Sequence, residues 1–394
     1  MKVAVVTGTR AEFGLLSGLM ALIDESSKLE LQVVVTGTHL LPEFGHSLDA
    51  ITAVGFHVAA QVRAITHANT GADVGRQVGA GTSEFTDTFT SLSPDVVVLL
   101  GDRYEMLAAA IAAFFLEIPI VHIHGGEVTH GAFDDTIRHA ITKFSSAHCV
   151  AHADYGARVV QLGEQPETVH VVGALGVDQL SRTALKTREQ LEVTFGITLS
   201  DPLFLVTYHP VTSGVSDAQT EVSALVAALE AIPEATVILT MPNADPDHHI
   251  IVDALRESVN RHPGRWMFSE SLGQVNYWSV MALATAVVGN SSSGILEAPS
   301  FPVATINIGP RQEGRLFAQS VVSCLATEAS ISSAFQRVTS KEFIDSLGAV
   351  TNPLGGPGAA NGILAVIENL PPGNLKGKVF YDQPGSNAKA DRVS

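Results

Sequence analysis

The segment Val96-Val97-Val98-Leu99-Leu100-Gly101-Asp102-Arg103-Tyr104-Glu105 opens as an unbroken apolar run, turns at a glycine and ends polar. A Val-rich run of this length without polar alternation suits a strand buried on both faces. The helical pattern of residues 105–115 follows directly, so the unit reads as strand, turn and helix. The same punctuation recurs around it, with Val- and Ile-rich runs at residues 3–7, 31–36, 58–62, 118–123, 148–151 and 169–172. Helical patterns at residues 11–24, 70–91 and 136–144 fall between them. Beyond Gly173-Ala174-Leu175-Gly176 a second series begins, at residues 203–207, 236–240, 266–268, 286–288, 303–306 and 321–325. Strands separated by helices pair in parallel through crossovers, so the expected class is α/β with two successive sheets. The boundary is placed near Gly176, giving domains over residues 1–176 and 177–370. From Pro371 the chain turns rich in Pro, Gly, Asn and Lys, and residues 371–394 read as a peripheral or disordered tail.

At 394 residues the chain exceeds the roughly 250–300 at which single cores stop growing, which also calls for two domains. Lys and Arg number 23 against 40 Asp and Glu, for a net charge of −17. Such a surface repels a phosphate backbone and makes nucleic acid a poor partner. A small anion remains open to it, because a few Arg, His and helix N-terminal N–H groups can act locally. Cys149 and Cys324 sit in separate apolar runs, as buried thiols rather than a disulfide framework. The N-terminus enters a strand at once, and no later stretch approaches the roughly 20 apolar residues of a membrane span. A soluble, cytoplasmic protein with no membrane partner is the expectation.

Ligands of open α/β sheets gather at the carboxyl ends of strands, and polar residues crowd there in this chain. Gly8-Thr9-Arg10-Ala11-Glu12 follows the first strand. It has neither the GxGxxG nor the GK[ST] spacing, yet Arg10 and the N–H groups of a helix start suit a phosphate. Asp102 follows the fourth strand, as an N-cap or as a proton-handling carboxylate. In Ile120-Val121-His122-Ile123-His124-Gly125-Gly126-Glu127, strand alternation puts His122 and His124 on one face, with Glu127 in the Gly loop. Asp134 and Asp135 then open a helix that continues through Arg138 and His139. Asp102, His124, Glu127 and Asp135 can therefore converge for proton transfer. The spacing matches no zinc pattern and lacks the carboxylate cage of a hard ion, so no metal is expected.

In the second half, Thr207-Tyr208-His209-Pro210, Met241-Pro242-Asn243 and Gly289-Asn290-Ser291-Ser292-Ser293-Gly294 each follow a strand. The last offers backbone N–H groups and hydroxyls to a diphosphate. Glu297 lies one turn further, placed for a ribose diol, and Arg311 and Arg315 follow the next strand. The second domain reads as a nucleotide domain and the first as a reaction domain.

Together these blocks resemble the hydrolysing UDP-N-acetylglucosamine 2-epimerases, the family that opens bacterial sialic-acid synthesis. The resemblance rests on Gly8-Thr9-Arg10-Ala11-Glu12, Leu100-Gly101-Asp102-Arg103, His122-Ile123-His124-Gly125-Gly126-Glu127, Ile137-Arg138-His139, His209-Pro210 and residues 289–297, in that order along residues 2–370. It implies a GT-B architecture, with two Rossmann-like domains, the active site in the interdomain cleft, and a final helix near residues 359–369 packing back across. It implies that Arg10, His209, Asn243, Ser291, Ser292, Glu297 and Arg311 bind the UDP moiety. Asp102, Glu127, Asp134, Asp135 and Arg138 would then lie about the sugar. Many relatives carry Glu where this chain has His124, so that role does not transfer directly.

The reaction implied is conversion of UDP-N-acetylglucosamine and water to N-acetylmannosamine and UDP. The C2 proton leaves together with UDP, and water and a proton then add to the resulting 2-acetamidoglucal. No cofactor is required, since nothing is oxidised. Similar enzymes act on UDP-N,N'-diacetylbacillosamine in legionaminic-acid synthesis, and these blocks do not separate the two substrates. A non-hydrolysing 2-epimerase, a GT-B glycosyltransferase and a non-catalytic sugar-nucleotide sensor are the competing classes. Relatives suggest a homodimer or homotetramer.

Overall fold

The structure is a computed structural model, described for residues 1–41, 47–64, 71–128, 133–211, 217–242, 248–370 and 378–383. Among these residues the strands form two parallel sheets. The first contains β1 (Lys2–Thr7), β2 (Glu30–Val35), β3 (Val58–Gln61), β4 (Val96–Leu100), β5 (Ile120–Ile123), β6 (Ala147–Val150) and β7 (Val169–Val171), in the order β3-β2-β1-β4-β5-β6-β7. The second contains β8 (Leu203–Thr207), β9 (Thr236–Thr240), β10 (Trp266–Ser269), β11 (Ala286–Gly289), β12 (Ala304–Ile308) and β13 (Val321–Cys324), in the order β10-β9-β8-β11-β12-β13. Each sheet is Rossmann-like, reversing its strand order once, between β1 and β4 and between β8 and β11. The loops that follow those strands flank the two reversal points, where such sheets hold ligands.

β4 shows why the apolar run is continuous. Val96, Val98 and Leu100 face one core with Leu16, Leu19, Met20 and Ile23 of the helix Arg10–Glu25. Val97 and Leu99 face the opposite core with Phe85, Phe89, Ala108 and Ala109. Both faces are covered, so no position on the strand is left to solvent. Each such side chain contributes about 1.5–3 kcal/mol on burial, and Leu99→Ala would cost about 2–5 kcal/mol.

Two compact units result: Met1–Gln179 with Gly355–Ser394, and Leu180–Leu354. The chain thus changes units twice, after Gln179 and again before Gly355. Residues 355–370 belong with the first sheet because the helix Ala359–Glu368 buries Ala359, Ala360, Ile363 and Ile367 in the core around β1 and β4. The Asp178 carboxylate fixes the start of that helix, accepting from the N–H groups of Gly358 and Ala360, each at 2.9 Å. Part of the tail is also placed, with Lys378 and Phe380 packed on the first unit. Cys149 and Cys324 are unpaired thiols. Among the described residues no helix is long and apolar enough to cross a membrane.

Candidate active site

In the first unit, the turn after β1 is organised by its own carboxylate. Thr9 caps the helix Arg10–Glu25 by accepting from the Glu12 N–H, and Glu12 reaches back to the N–H groups of Gly8 at 2.7 Å and Thr9 at 3.1 Å. The N–H groups of Gly8, Thr9 and Glu12 are thus engaged inside the capping box. Arg10 stays exposed at the first helical position. Burial raises the Glu12 carboxyl to about 7. Arg103 lies close by and binds the buried Glu105 at 2.7 Å.

The loops after β4 and β5 carry a cluster of ionisable groups. Arg138, only 4% exposed, ties three segments together. Its guanidinium donates to the Asp102 carboxylate, to the Glu127 carbonyl at 2.8 Å, and faces an Asp135 oxygen at 3.5 Å. Asp102, Glu127, Asp135 and Arg138 are thus brought together, as expected. Asp134, on the same helix Phe133–Phe144, has its carboxyl raised by burial and then by the Asp102 charge.

His122 and His124 leave β5 with different fates. His122 is fully buried, with Nε2 2.7 Å from the Gly101 carbonyl and Nδ1 3.2 Å from the Thr142 hydroxyl. Burial lowers its pKa to about 3, so the ring is neutral and Nε2 is the donor to Gly101. His124 lies just past the strand with φ 65°, a left-handed conformation that His adopts more readily than most side chains. Its N–H donates to the Cys149 carbonyl at 2.9 Å, and its Nδ1 meets the Glu127 carboxylate at 2.9 Å. The remaining ring nitrogen, Nε2, is buried with no hydrogen-bond partner among the described residues.

The second unit holds a cavity of about 420 Å³ lined by His209, Ser291, Ser292, Glu297 and Arg311, together with Thr207, Thr240 and Tyr277. All five of those expected residues share it; Asn243 lies outside the described residues. Asn290, fully buried, pins His209 in both directions, accepting from its N–H at 2.7 Å and donating to its carbonyl at 2.8 Å. The carbonyl of Asn290 accepts in turn from Arg311 at 3.1 Å and Gln312 at 2.8 Å. This loop requires Gly289: its φ is 128°, and a Cβ there would stand 2.0 Å from the Thr207 carbonyl oxygen. A hydroxyl chain runs from Thr240 through Thr207 and Tyr277 to Ser293, with Thr207 to Thr240 at 2.6 Å and Tyr277 to Ser293 at 2.6 Å. Burial raises the Glu297 carboxyl to about 7. Tyr277 belongs to no motif and carries no sequence signal, whereas Asn290 lies inside Gly289-Asn290-Ser291, where spacing does not reveal its clamp on His209.

The two halves of this arrangement have distinct chemical capacities. The first unit offers carboxylates, an imidazole and a buried guanidinium, as proton transfer requires. The second offers hydroxyls, a clamped His, an Arg and a carboxyl, a donor and acceptor set suited to a nucleotide. Comparison with known proteins gives the family. The family model described as UDP-N-acetylglucosamine 2-epimerase matches residues 21–368. A Campylobacter jejuni protein named GDP/UDP-N,N'-diacetylbacillosamine 2-epimerase (hydrolyzing) is 37% identical, over 87% of this chain and 88% of its own length. An Escherichia coli protein named polysialic acid biosynthesis protein P7 is 31% identical, over 99% of this chain and 100% of its own. The crystal structure of a Neisseria meningitidis UDP-GlcNAc 2-epimerase bound to UDP-GlcNAc shares the fold, with a TM-score of 0.75 at 18% identity, covering 93% of this chain and 100% of that one. The chain belongs to the UDP-N-acetylglucosamine 2-epimerase family.

Proposed function

We propose that this protein is a hydrolysing 2-epimerase of a UDP-linked 2-acetamido sugar, releasing UDP and the free manno-configured sugar. The observation that carries this reading is the His124–Glu127 pair, with Nδ1 held by a carboxylate and Nε2 without a hydrogen-bond partner among the described residues. A C2 hydrogen beside an acetamido group is too weakly acidic to leave alone, so its removal must accompany departure of UDP from C1. His124 takes that proton at Nε2 while the C1–O bond breaks. Water then adds its oxygen to C1 of the 2-acetamidoglucal, and a proton returns to C2 on the opposite face. Asp134, whose carboxyl is raised towards the protonated form, supplies the second proton-handling group, and Asp102 with Arg138 holds the sugar. In the second unit His209, Ser291, Ser292 and Arg311 meet the diphosphate and Glu297 the ribose diol.

Between substrates, the 37% identity to a relative named for N,N'-diacetylbacillosamine supports that sugar ahead of UDP-N-acetylglucosamine. The second reading keeps its support from the 31% identical relative named for polysialic acid biosynthesis. Proton NMR of the purified protein in D2O with each UDP-sugar tests both. Free UDP and a C2-deuterated manno sugar are expected, with the diacetylbacillosamine derivative turned over faster. A manno sugar still bearing UDP would place the protein in the non-hydrolysing class, and consumption only with an added acceptor would make it a glycosyltransferase.

A further inference from the structure

The helix Phe133–Phe144 carries Asp134, Asp135 and Arg138 at its start, and its other end is held by a residue far away in sequence. The ammonium of Lys378 donates to the carbonyls of Lys143 at 2.7 Å and Ser145 at 2.6 Å, and stands 3.4 Å from that of Thr142. The last carbonyls of a helix lack intrahelical partners and carry its negative end, so a cation there is well placed. The same ammonium meets Glu164 at 2.7 Å, a carboxylate only 2% exposed that also binds Lys143 at 2.6 Å and His148 at 3.1 Å. The seat is shaped for this segment. Phe380 covers Gly163, where a Cβ would stand 2.1 Å from the Phe380 ring, and the Tyr381 N–H donates to the Gly163 carbonyl at 2.9 Å.

From that anchor the contacts run back to the reactive groups. The Thr142 hydroxyl lies 3.0 Å from the Arg138 carbonyl and 3.2 Å from His122 Nδ1, and His122 Nε2 bonds Gly101, the neighbour of Asp102. The last turn of the helix is therefore linked to both members of the Asp102–Arg138 pair. We propose that Lys378 is a positioning residue for the reaction, its segment acting as a strap that fixes the helix Phe133–Phe144 and through it Arg138 and Asp135. This rests on the reading of the first unit as the reaction unit.

The test compares the full chain with Lys378→Met, which keeps the stem and removes the charge, and with Lys378→Arg, which restores a cation. Lys378→Met is expected to lower kcat about 10- to 100-fold, the scale of a small misplacement of catalytic groups, while UDP affinity by calorimetry stays within about twofold. Lys378→Arg is expected to recover most of the loss. A kcat for Lys378→Met within about twofold of native overturns the proposal, whatever its melting temperature. Should the native chain turn over neither UDP-sugar, the functional reading fails, and amide hydrogen exchange then decides the positioning claim alone. Faster exchange in Lys378→Met reaching residues 134–138 supports it, and a change confined to residues 140–145 overturns it.

Discussion

His124 Nδ1 lies 2.9 Å from a carboxylate oxygen of Glu127, while Nε2 of the same ring is buried without a hydrogen-bond partner among the described residues. A carboxylate that fixes one ring nitrogen leaves the other aimed and of defined tautomer, the arrangement that makes an imidazole useful for moving protons. The ring is carried on a residue at φ 65°, a conformation few side chains adopt without cost. Replacing His124 by Gln keeps a polar side chain of similar reach and removes the proton shuttle, so kcat is expected to fall by about 10² to 10⁴. His124→Glu, which puts a carboxylate in place of the imidazole, should retain a measurable fraction with an altered pH profile. Near-native turnover by His124→Gln beside a dead Glu127→Gln would assign the proton chemistry to Glu127.

Asp102 is bound by a guanidinium that is itself buried, so its substitution tests position and chemistry together. Asp102→Asn keeps an acceptor for Arg138 but gives up a charged hydrogen bond, worth about 1.5–3 kcal/mol. The variant should fold with a lowered melting temperature and lose turnover by about 10² to 10⁴ if this carboxylate meets the sugar. A drop in melting temperature with unchanged kcat would reduce Asp102 to a partner of Arg138.

The strand ends were the legible part of this molecule. A Val-rich run closed by Gly dictates a buried parallel strand, and parallel sheets expose polar groups where strands stop, so Asp102, His124, His209 and Ser291 stand out in the sequence as candidates. Side-chain assignment within a turn was less accessible. Glu12 in Gly8-Thr9-Arg10-Ala11-Glu12 satisfies the capping-box pattern, in which its carboxylate engages the Gly8 and Thr9 N–H groups, a pairing that the strand-end reading does not bring out. Tyr277 reaches its hydroxyl chain from the middle of an ordinary helix, where spacing carries no information about the opposing loop. The return of residues 355–370 to the first unit carries no strand signal, because it is made by a helix through the apolar contacts of Ile363 and Ile367, and only the family resemblance points to it.

Glu297 predicts a pH signature for nucleotide binding. Burial holds its carboxyl at about 7, so near neutrality a large fraction is protonated. A ribose diol donates to the ionised form, so binding should release a proton, and UDP affinity should rise between about pH 6 and pH 8. UDP has a phosphate that titrates near pH 6, which contributes its own slope. Glu297→Gln separates the two, since it should show only the slope of UDP itself. Equal pH dependence in the native and Glu297→Gln proteins, read by calorimetry in buffers of different ionisation enthalpy, would remove Glu297 from the ribose.

His122 supplies a stability prediction of definite sign. Its pKa is lowered from 6.5 to about 3 by burial, so between those values the unfolded chain binds a proton that the folded chain refuses. Stability from this group is complete above about pH 6.5 and is lost as the pH falls towards 3, at up to about 1.4 kcal/mol per pH unit. The buried Glu12 and Glu297 carboxyls, raised to about 7, act in the opposite direction between their ordinary range and neutrality, so the whole-protein slope is a difference. Comparing the native chain with His122→Gln isolates the one group. Trp266 and Trp278, the 2 tryptophans of the chain, both lie in the second unit, so indole fluorescence reports that unit and serves as the control. Amide exchange at β4 and β5 reports the first. Between pH 6 and pH 4 the opening free energy of these strands should fall more steeply in the native protein than in His122→Gln, by about one proton, although the variant is less stable at pH 7. Parallel slopes in the two proteins would mean that His122 titrates alike in the folded and unfolded chains, and that its ring is not held neutral between Gly101 and Thr142.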